Sequence, residues 1–385
     1  GWDPLGECVQ DGPGFTCFDF TGTFDGNHQA IVGLEIARSS ESEIGLFGRI
    51  GSAATVTQLS LVAVDVSGSQ STGGLAGINQ GAILDVSVQG AVTGQNGNTG
   101  GAVGYNASAG TLSNTRFYGS VQGEDSTGGL AGLNIGTLGV SWARAQVTST
   151  QTRVGGAVGN NQGLIIFVFT SGQVTGVDLV GGLVGETFDS ITRAYAQTNV
   201  TATSGAAGGL VGQIGNTTTA VSVTESYSTG TVSGNEDSRG LVGAGTRTDI
   251  SGPFTISDSF WDVESSGIGS VGADSLGAIG KTTADMKKQA TFTNWDFTAN
   301  TGDWLMVQDQ TYPELQAVAF GGGEGTSANP YQIATWEHLN NIRLKMSAEF
   351  VFTQALDQYT GGYTAFVKDG TTLANGGEGW APIGK

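Results

Sequence analysis

Gly74-Leu75-Ala76-Gly77-Ile78-Asn79 returns 27 residues later as Gly101-Ala102-Val103-Gly104-Tyr105-Asn106. It returns again as Gly129-Leu130-Ala131-Gly132-Leu133-Asn134 and Gly156-Ala157-Val158-Gly159-Asn160-Asn161. Outward from these four, the shorter Gly-(Leu/Ala)-x-Gly pattern continues at Gly45, Gly182, Gly209 and Gly240, so it occurs eight times in steps of 26 to 31 residues. A fixed period of this length is the mark of an array in which each unit buries its apolar face only against its neighbours. The expected fold is all-β: a parallel β-solenoid of about eight coils, with short capping helices near the ends.

Within a coil, apolar runs of four to six residues alternate with Gly, Asn, Ser and Thr, as in Ile83–Val88 and Gly90-Ala91-Val92-Thr93-Gly94. These read as short strands bounded by turns. A valine recurs in register at Val66, Val92, Val121, Val147, Val174, Val200 and Val232. Coils stacked at the strand spacing of ~4.8 Å would align these valines into one interior row. Asn79, Asn106, Asn134 and Asn161 stand two residues after the motif in four consecutive coils. Stacked amides can hydrogen-bond from coil to coil, and a row of ligand-binding amides is the functional alternative. The motif glycines are expected to supply tight corners with positive φ. No Gly-Lys-Ser/Thr ending follows any of them, so a phosphate loop is not indicated.

Glycine supplies 66 of 385 residues, but only six prolines and no Gly-X-Y period accompany it, which excludes collagen. The net charge of −19, from 15 basic and 34 acidic residues, argues against nucleic acid and anionic membrane surfaces as partners. No apolar run is long enough for membrane insertion. The chain begins with Gly1 rather than Met, which reads as processing or excision from something longer. Cys8 and Cys17 flank Asp11-Gly12-Pro13-Gly14, a turn sequence that could bring the thiols together. A disulfide in an oxidising compartment is expected, two free thiols being the alternative. A metal pair has less support, because His28 and His338 are distant in sequence.

These residues resemble the GLUG motif, the Gly-Leu-(any)-Gly repeat of large bacterial and archaeal surface proteins. The match covers 45 to about 245. It continues through Ser259-Phe260-Trp261-Asp262-Val263-Glu264, Gly280-Lys281-Thr282-Thr283-Ala284-Asp285-Met286 and Tyr312-Pro313-Glu314-Leu315, which look like the segment closing such arrays. The resemblance implies a parallel β-solenoid on a cell surface or in an adhesin; family relatives also serve as accessory modules of secreted peptidases. Locally, Thr282 or Thr283 is expected to cap a short helix through Ala290, and Trp295, Phe297 and Trp304 to cover the last coil. The organisation read this way is 1–44, opening coils with the Cys8–Cys17 loop; 45–250, repeats; 251–319, closing segment; 320–385, a further element.

That last element resembles the opening of a GLUG array. A helix is expected from Trp336 to about Lys345 with Thr335 as N-cap, and a strand at Phe350-Val351-Phe352-Thr353. An opening would run on into Phe-Thr-Gly-Thr-Phe-Asp-Gly-Asn, and that stretch is present at the other end, as Phe20 to Asn27. Gly379-Trp380-Ala381-Pro382-Ile383-Gly384 also repeats Gly1-Trp2-Asp3-Pro4-Leu5-Gly6, so position 379 maps onto position 1. The chain could be one unit of a tandem array, a subunit joined head to tail to others, or a solenoid followed by the start of a second. Candidate assembly residues are Gly1, Trp2, Pro4, Phe20 and Phe24 at one end, and Trp336, Phe350, Phe352, Trp380, Pro382 and Ile383 at the other.

The expected function is therefore an extracellular structural fibre or surface-array subunit whose partner is itself, head to tail. The alternative is an adhesin stalk gripping surface glycans or a host protein, with Trp142 and Trp261 as candidate sugar platforms. Catalysis is not expected: Asp258, Asp262 and Glu264, or Asp178 and Asp189, are carboxylates without an evident partner set, and Arg144, Arg153 and Arg193 are scattered. No cofactor is expected. The acid excess would suit structural Ca²⁺, although the Gly-Gly-x-Gly-x-Asp nonapeptide and the EF-hand loop are both missing.

Overall fold

A computed structural model describes residues 2–11, 14–215, 218–235, 237–243, 253–269, 272–273, 276–299, 301–369 and 372–383. Gly1, Gly12, Pro13 and Gly384, used above, lie outside the described residues. The chain forms two compact units, Gly1–Thr283 and Ala284–Lys385. Their boundary falls inside the segment read as closing the array.

The first unit is a parallel β-solenoid. Successive central coils contribute one strand to each of three stacks. The longest stack starts with β3 (Thr23–Val32) and runs through Thr55–Gly68, Ala82–Gly94, Thr111–Gly123, Thr137–Ser149, Ile165–Gly176 and Ile191–Ala202 before breaking into shorter pieces. A second stack of seven strands runs from Phe47–Ile50 to Val211–Ile214. Parallel bridges at Leu5 and Val242 extend this ladder at either end. The third stack has six short strands, from Thr72–Gly73 to Ala207–Gly208. β1 (Glu7–Asp11) and β2 (Gly14–Phe18) form an antiparallel hairpin before β3.

The repeat motif sits at the corner between the third and second stacks. Its second and third residues both point inward because the chain turns between them. Leu75 and Ala76, Leu130 and Ala131, and Leu183 and Val184 are all at most 1% exposed. The predicted valine row exists, with Val66 through Val232 paired in register from coil to coil. Each buried valine is worth about 1.5–3 kcal/mol of transfer free energy, realised only when the next coil closes over it.

The motif glycines do not serve the expected purpose. None has positive φ. Glycine is required because adjacent coils approach too closely for a side chain: a Cβ on Gly129 would overlap the carbonyl oxygen of Gly156, and one on Gly132 the backbone nitrogen of Thr99. A left-handed residue falls instead in the long stack, on non-glycine residues: Gln58, Asp85, Asn114, Val140, Phe167 and Arg193 within long strands, and Glu225 and Asp258 between the shorter pieces; a second such series, Ser71, Ser126, Arg153 and Leu179, lies at the third stack. Within the long strands it lets a continuous ladder bend without a loop.

In the far part of this unit, Trp261 lies over Gly240, the first glycine of the last motif copy, and donates Nε1–H to the carbonyl of Ile268 at 3.0 Å. Asp262, fully buried, caps the helix Val263–Ser266 by accepting from the backbone of Glu264 and Ser265. Gly272–Ala273 then pairs antiparallel with Ile279–Lys281, which ends the parallel stacking. The expected helix through Ala290 is shorter, Thr283–Met286, followed by a 3-10 turn at Gln289–Thr291.

The second unit has a small core of Leu305, Ala319, Phe320, Tyr331 and Ile333. Trp295 stacks between Trp304, at 4.1 Å, and Phe297, at 6.4 Å. Thr335 caps the helix Trp336–Asn341 as expected, its Oγ1 accepting from His338 N at 3.0 Å, and a 3-10 turn carries it to Leu344.

Candidate functional site

Two features are candidates for function: the polar and aromatic rows along the solenoid, and the opening edge at its first coil. The asparagine row is a structural spine. All four side chains are fully buried. Asn79 Nδ2 donates to Asn106 Oδ1 at 2.8 Å, Asn106 to Asn134 at 2.7 Å, Asn134 to Asn161 at 2.7 Å, and Asn161 to Thr187 Oγ1 at 3.0 Å. The same amides pin the turn that follows, as when Gly81 N donates to Asn79 Oδ1 at 3.1 Å. Buried amides with this many partners are committed to one another and present nothing to a ligand.

A second row is aromatic. Trp142, Phe169, Tyr195 and Tyr227 stack face to face with centroids 4.9–5.6 Å apart, and the Arg116 guanidinium lies 5.0 Å from the Trp142 ring. The sequence pattern missed this row because the four residues occupy ladder positions that Ser87 and Arg116 fill in the coils before. Trp142 and Trp261 are 0% and 3% exposed, so neither offers a sugar platform.

Of the carboxylates weighed for catalysis, Asp262, Glu264, Asp178 and Asp189 accept from backbone and hydroxyl groups. Asp262 Oδ2 accepts from Thr283 Oγ1 at 2.7 Å, and Glu264 Oε2 from Thr283 N at 2.7 Å. Asp178 accepts from Leu179 N and Ala206 N, and Asp189 from Ser190 N. The arginines bridge coils. Arg153 reaches Asp125 and Glu186 at 3.0 and 2.7 Å, and Arg193 reaches Glu225 at 3.1 Å. Burial works against the Arg153 charge, but hydrogen bonds and charge from Glu186 and Asp125 outweigh it and raise its pKa. Among the described residues, no group of three or more His, Cys, Asp or Glu is placed to hold a metal. No described helix is long and apolar enough to cross a membrane.

The opening edge gathers most of the predicted assembly residues of the first unit. Trp2 donates Nε1–H to the carbonyl of Leu46 at 3.1 Å, Pro4 is buried, and Leu5 bridges to Phe47. Phe20 and Phe24 lean on Phe47 with centroids at 5.1 and 5.6 Å, yet each remains half-buried. Trp2, Leu5 and Val32 are 41%, 38% and 52% exposed. β3 is the terminal strand of its sheet and among the described residues pairs only with Thr55–Gly68. Beside it, Cys8 and Cys17 are cross-strand partners in the β1–β2 hairpin, joined by a disulfide. They line a surface cavity of about 540 Å³ with Glu7, Glu41, Glu43 and Arg49.

The second unit holds the other predicted group. Phe350–Phe352 pairs in parallel with Tyr331–Ile333, and Phe352 is 59% exposed. Trp336 and Phe366 surround Trp380 at 5.7 and 6.5 Å, and the Arg343 guanidinium lies 5.4 Å from its ring. Pro382 is exposed and Ile383 half-buried.

No family model matches the chain. It is similar to halomucin of Haloquadratum walsbyi, with 32% identity over 212 residues, covering 49% of this chain and 2% of halomucin. The chain thus corresponds to a small fraction of that relative's length. A solved structure of a Bacteroides ovatus protein assigned as an immunoglobulin A1 protease aligns over 76% of this chain and 77% of its own, at 16% identity and a TM-score of 0.38. That score is too low to support an argument. The first unit of the chain is a β-solenoid of repeated coils.

Proposed function

We propose that this protein is a building unit of an extracellular fibre or surface array, joined head to tail through residues 320–385 to the opening coils of the next unit. The observation that carries the reading is the difference between the two ends of the parallel stacking. It finishes in an antiparallel pair and a capped helix, but at the other end, among the described residues, it has a strand bonded along one edge only, with half-buried phenylalanines. An open apolar sheet edge is a liability unless something covers it. The segment 320–385, which carries a copy of 1–6 at 379–384, supplies the candidate cover. The GLUG resemblance, the similarity to a stretch of halomucin, the acidic surface and the Cys8–Cys17 pair support a location outside the cell, on a surface. On this reading the chain is not an enzyme, needs no cofactor, and has itself as its principal partner. Electron microscopy of the intact chain with sedimentation velocity tests it. Filaments or head-to-tail oligomers are expected, and a monodisperse 39.1 kDa species at all concentrations would overturn the reading.

A further inference from the structure

Resting on the fibre reading, we infer how the join is made: the strand Phe350–Phe352 of one copy adds in parallel to the free edge of β3 of a second copy, with Phe352 continuing the row that begins at Phe24. Four observations converge on this pairing.

The first is the available edge on each side. Among the described residues, β3 is paired on one side only, with Thr55–Gly68. In the second unit, the far edge of Tyr331–Ile333 is occupied: Gly321 N donates to Gln332 O at 2.8 Å, and Gln332 N to Gly322 O at 2.9 Å. That leaves Phe350–Phe352 as the outer strand of its pair, with Val351 42% and Phe352 59% exposed.

The second is direction. Tyr331–Ile333 and Phe350–Phe352 are parallel and follow one another in chain order, as do successive coils of the solenoid. A two-stranded parallel sheet of three-residue strands is a marginal structure alone and gains from a third strand. β3 would be the next strand in the same sense.

The third is parity. Phe350 and Phe352 stand opposite Tyr331 and Ile333, which are 1% and 0% exposed, so the two phenylalanines share the inward face. On β3 the first inward residue is Phe24, opposite Val56 and, one coil on, Ile83. Only an even register places apolar on apolar; a slip by one residue would turn Phe352 to solvent.

The fourth is the space and chemistry at the seam. With Phe352 over Phe24, Phe350 falls over Gly22, which has no side chain to obstruct it and sits against the Phe20 ring. Each side already carries an aromatic cluster, Phe20–Phe24–Phe47 on one and Phe320–Tyr331–Phe350 on the other. Strand addition would merge them, with backbone bonds supplying affinity and the aromatic row fixing register.

The test uses two full-length chains, one carrying Phe352→Cys and the other Phe24→Cys, mixed and mildly oxidised. A covalent product of twice the 39.1 kDa chain mass is expected, in roughly tenfold excess over that from Val351→Cys with Phe24→Cys. Equal yields from the two mixtures would overturn the register. Filaments that form with no cross-link from Phe352→Cys would overturn strand addition while leaving the fibre reading intact. Neither filaments nor cross-link would overturn both. Phe352→Asp gives a second readout: because the side chain is exposed, the melting curve should be unchanged while assembly is lost, and Phe352→Leu should restore it. Undiminished assembly by Phe352→Asp would also overturn the inference.

Discussion

Replacing Asn134 by alanine is the most direct measure of what holds the coils in register. The side chain donates to Asn161 Oδ1 and accepts from Asn106 Nδ2, both at 2.7 Å, inside a fully buried row. In Asn134→Ala, the Asn106 amide keeps its bond to Gly110 O at 3.3 Å, but Asn161 Oδ1 loses the Asn134 donor. A buried polar atom stripped of its partner costs about 1–3 kcal/mol, and each lost bond between satisfied groups about 1 kcal/mol. The expected destabilisation is therefore about 2–4 kcal/mol. Urea denaturation followed by far-UV circular dichroism measures it, with the m-value compared between variants because repeat arrays can lose cooperativity. Asn96→Ala is the control: its amide makes an exposed bond to Ser69 Oγ at 3.1 Å, and its loss should cost less than about 0.5 kcal/mol. Asn134→Thr should fall between the two, since Thr187 already ends the row with a hydroxyl that accepts from Asn161 and donates to Asp189 O. If Asn134→Ala and Asn96→Ala have the same stability, the spine is a bystander and the registry argument fails.

Other outcomes follow from single positions. Val140 holds φ of 47° at the long-strand corner where other coils place Asp85 and Asn114; Val140→Asn should raise stability by about 1 kcal/mol, readable as a higher melting temperature. Gly129→Ala drives a methyl into the Gly156 backbone and should cost about 3 kcal/mol, whereas Gly139→Ala, whose new methyl would sit 3.6 Å from Ile166, should be near neutral; equal melting temperatures would contradict the close-approach account of the motif. Alkylation should label Cys8 and Cys17 only after reduction, and reduction should lower stability by no more than about 3 kcal/mol, because the loop it opens is short; labelling of the untreated protein would count against the disulfide.

The solenoid was legible because its signals are repeated. Eight spaced glycine motifs, seven valines and four asparagines each point to the same stacking, and the structure places them in register. What the pattern could not convey was the reason for the glycines. Positive φ and close approach both select glycine, and only coordinates distinguish them. The left-handed corner was invisible because Val140, Phe167 and Arg193 are ordinary strand residues that the neighbouring coils force into that conformation. The aromatic row was hidden because Trp, Phe and Tyr substitute for one another along it, and an alignment by identity breaks at each step. At the opening edge, the wrap-around copy of 1–6 marked Trp2 and Pro4, and the expected continuation of an array opening marked Phe20 and Phe24, before any contact was known. The partner strand's free edge, by contrast, depends on Gly321 and Gly322 folding against Gln332, which no motif signals.

The use of charge along the stack leads to a prediction about salt. Basic residues are scarce, 15 against 34 acidic, yet four arginines are spent on linking chain segments of neighbouring coils: Arg49 to Asp19, Arg116 to Asp85, Arg153 to Asp125 and Glu186, and Arg193 to Glu225. Added salt acts on two opposing terms. It weakens these bridges, each worth at most about 1 kcal/mol at such partly exposed positions, and less so where Arg116 or Glu186 is buried. It also relieves the self-repulsion of a net charge of −19, which a stacked fold holds close together and an unfolded chain disperses. The bridges are few, short-ranged and partly shielded from salt, whereas the repulsion is summed over every uncompensated carboxylate. The second term should dominate. The melting temperature should therefore rise between low salt and 2 M NaCl, and head-to-tail association, which brings two acidic copies together, should rise with it. A melting temperature that falls across this range would mean that the arginine bridges outweigh the net charge, and that the acidic surface is balanced locally.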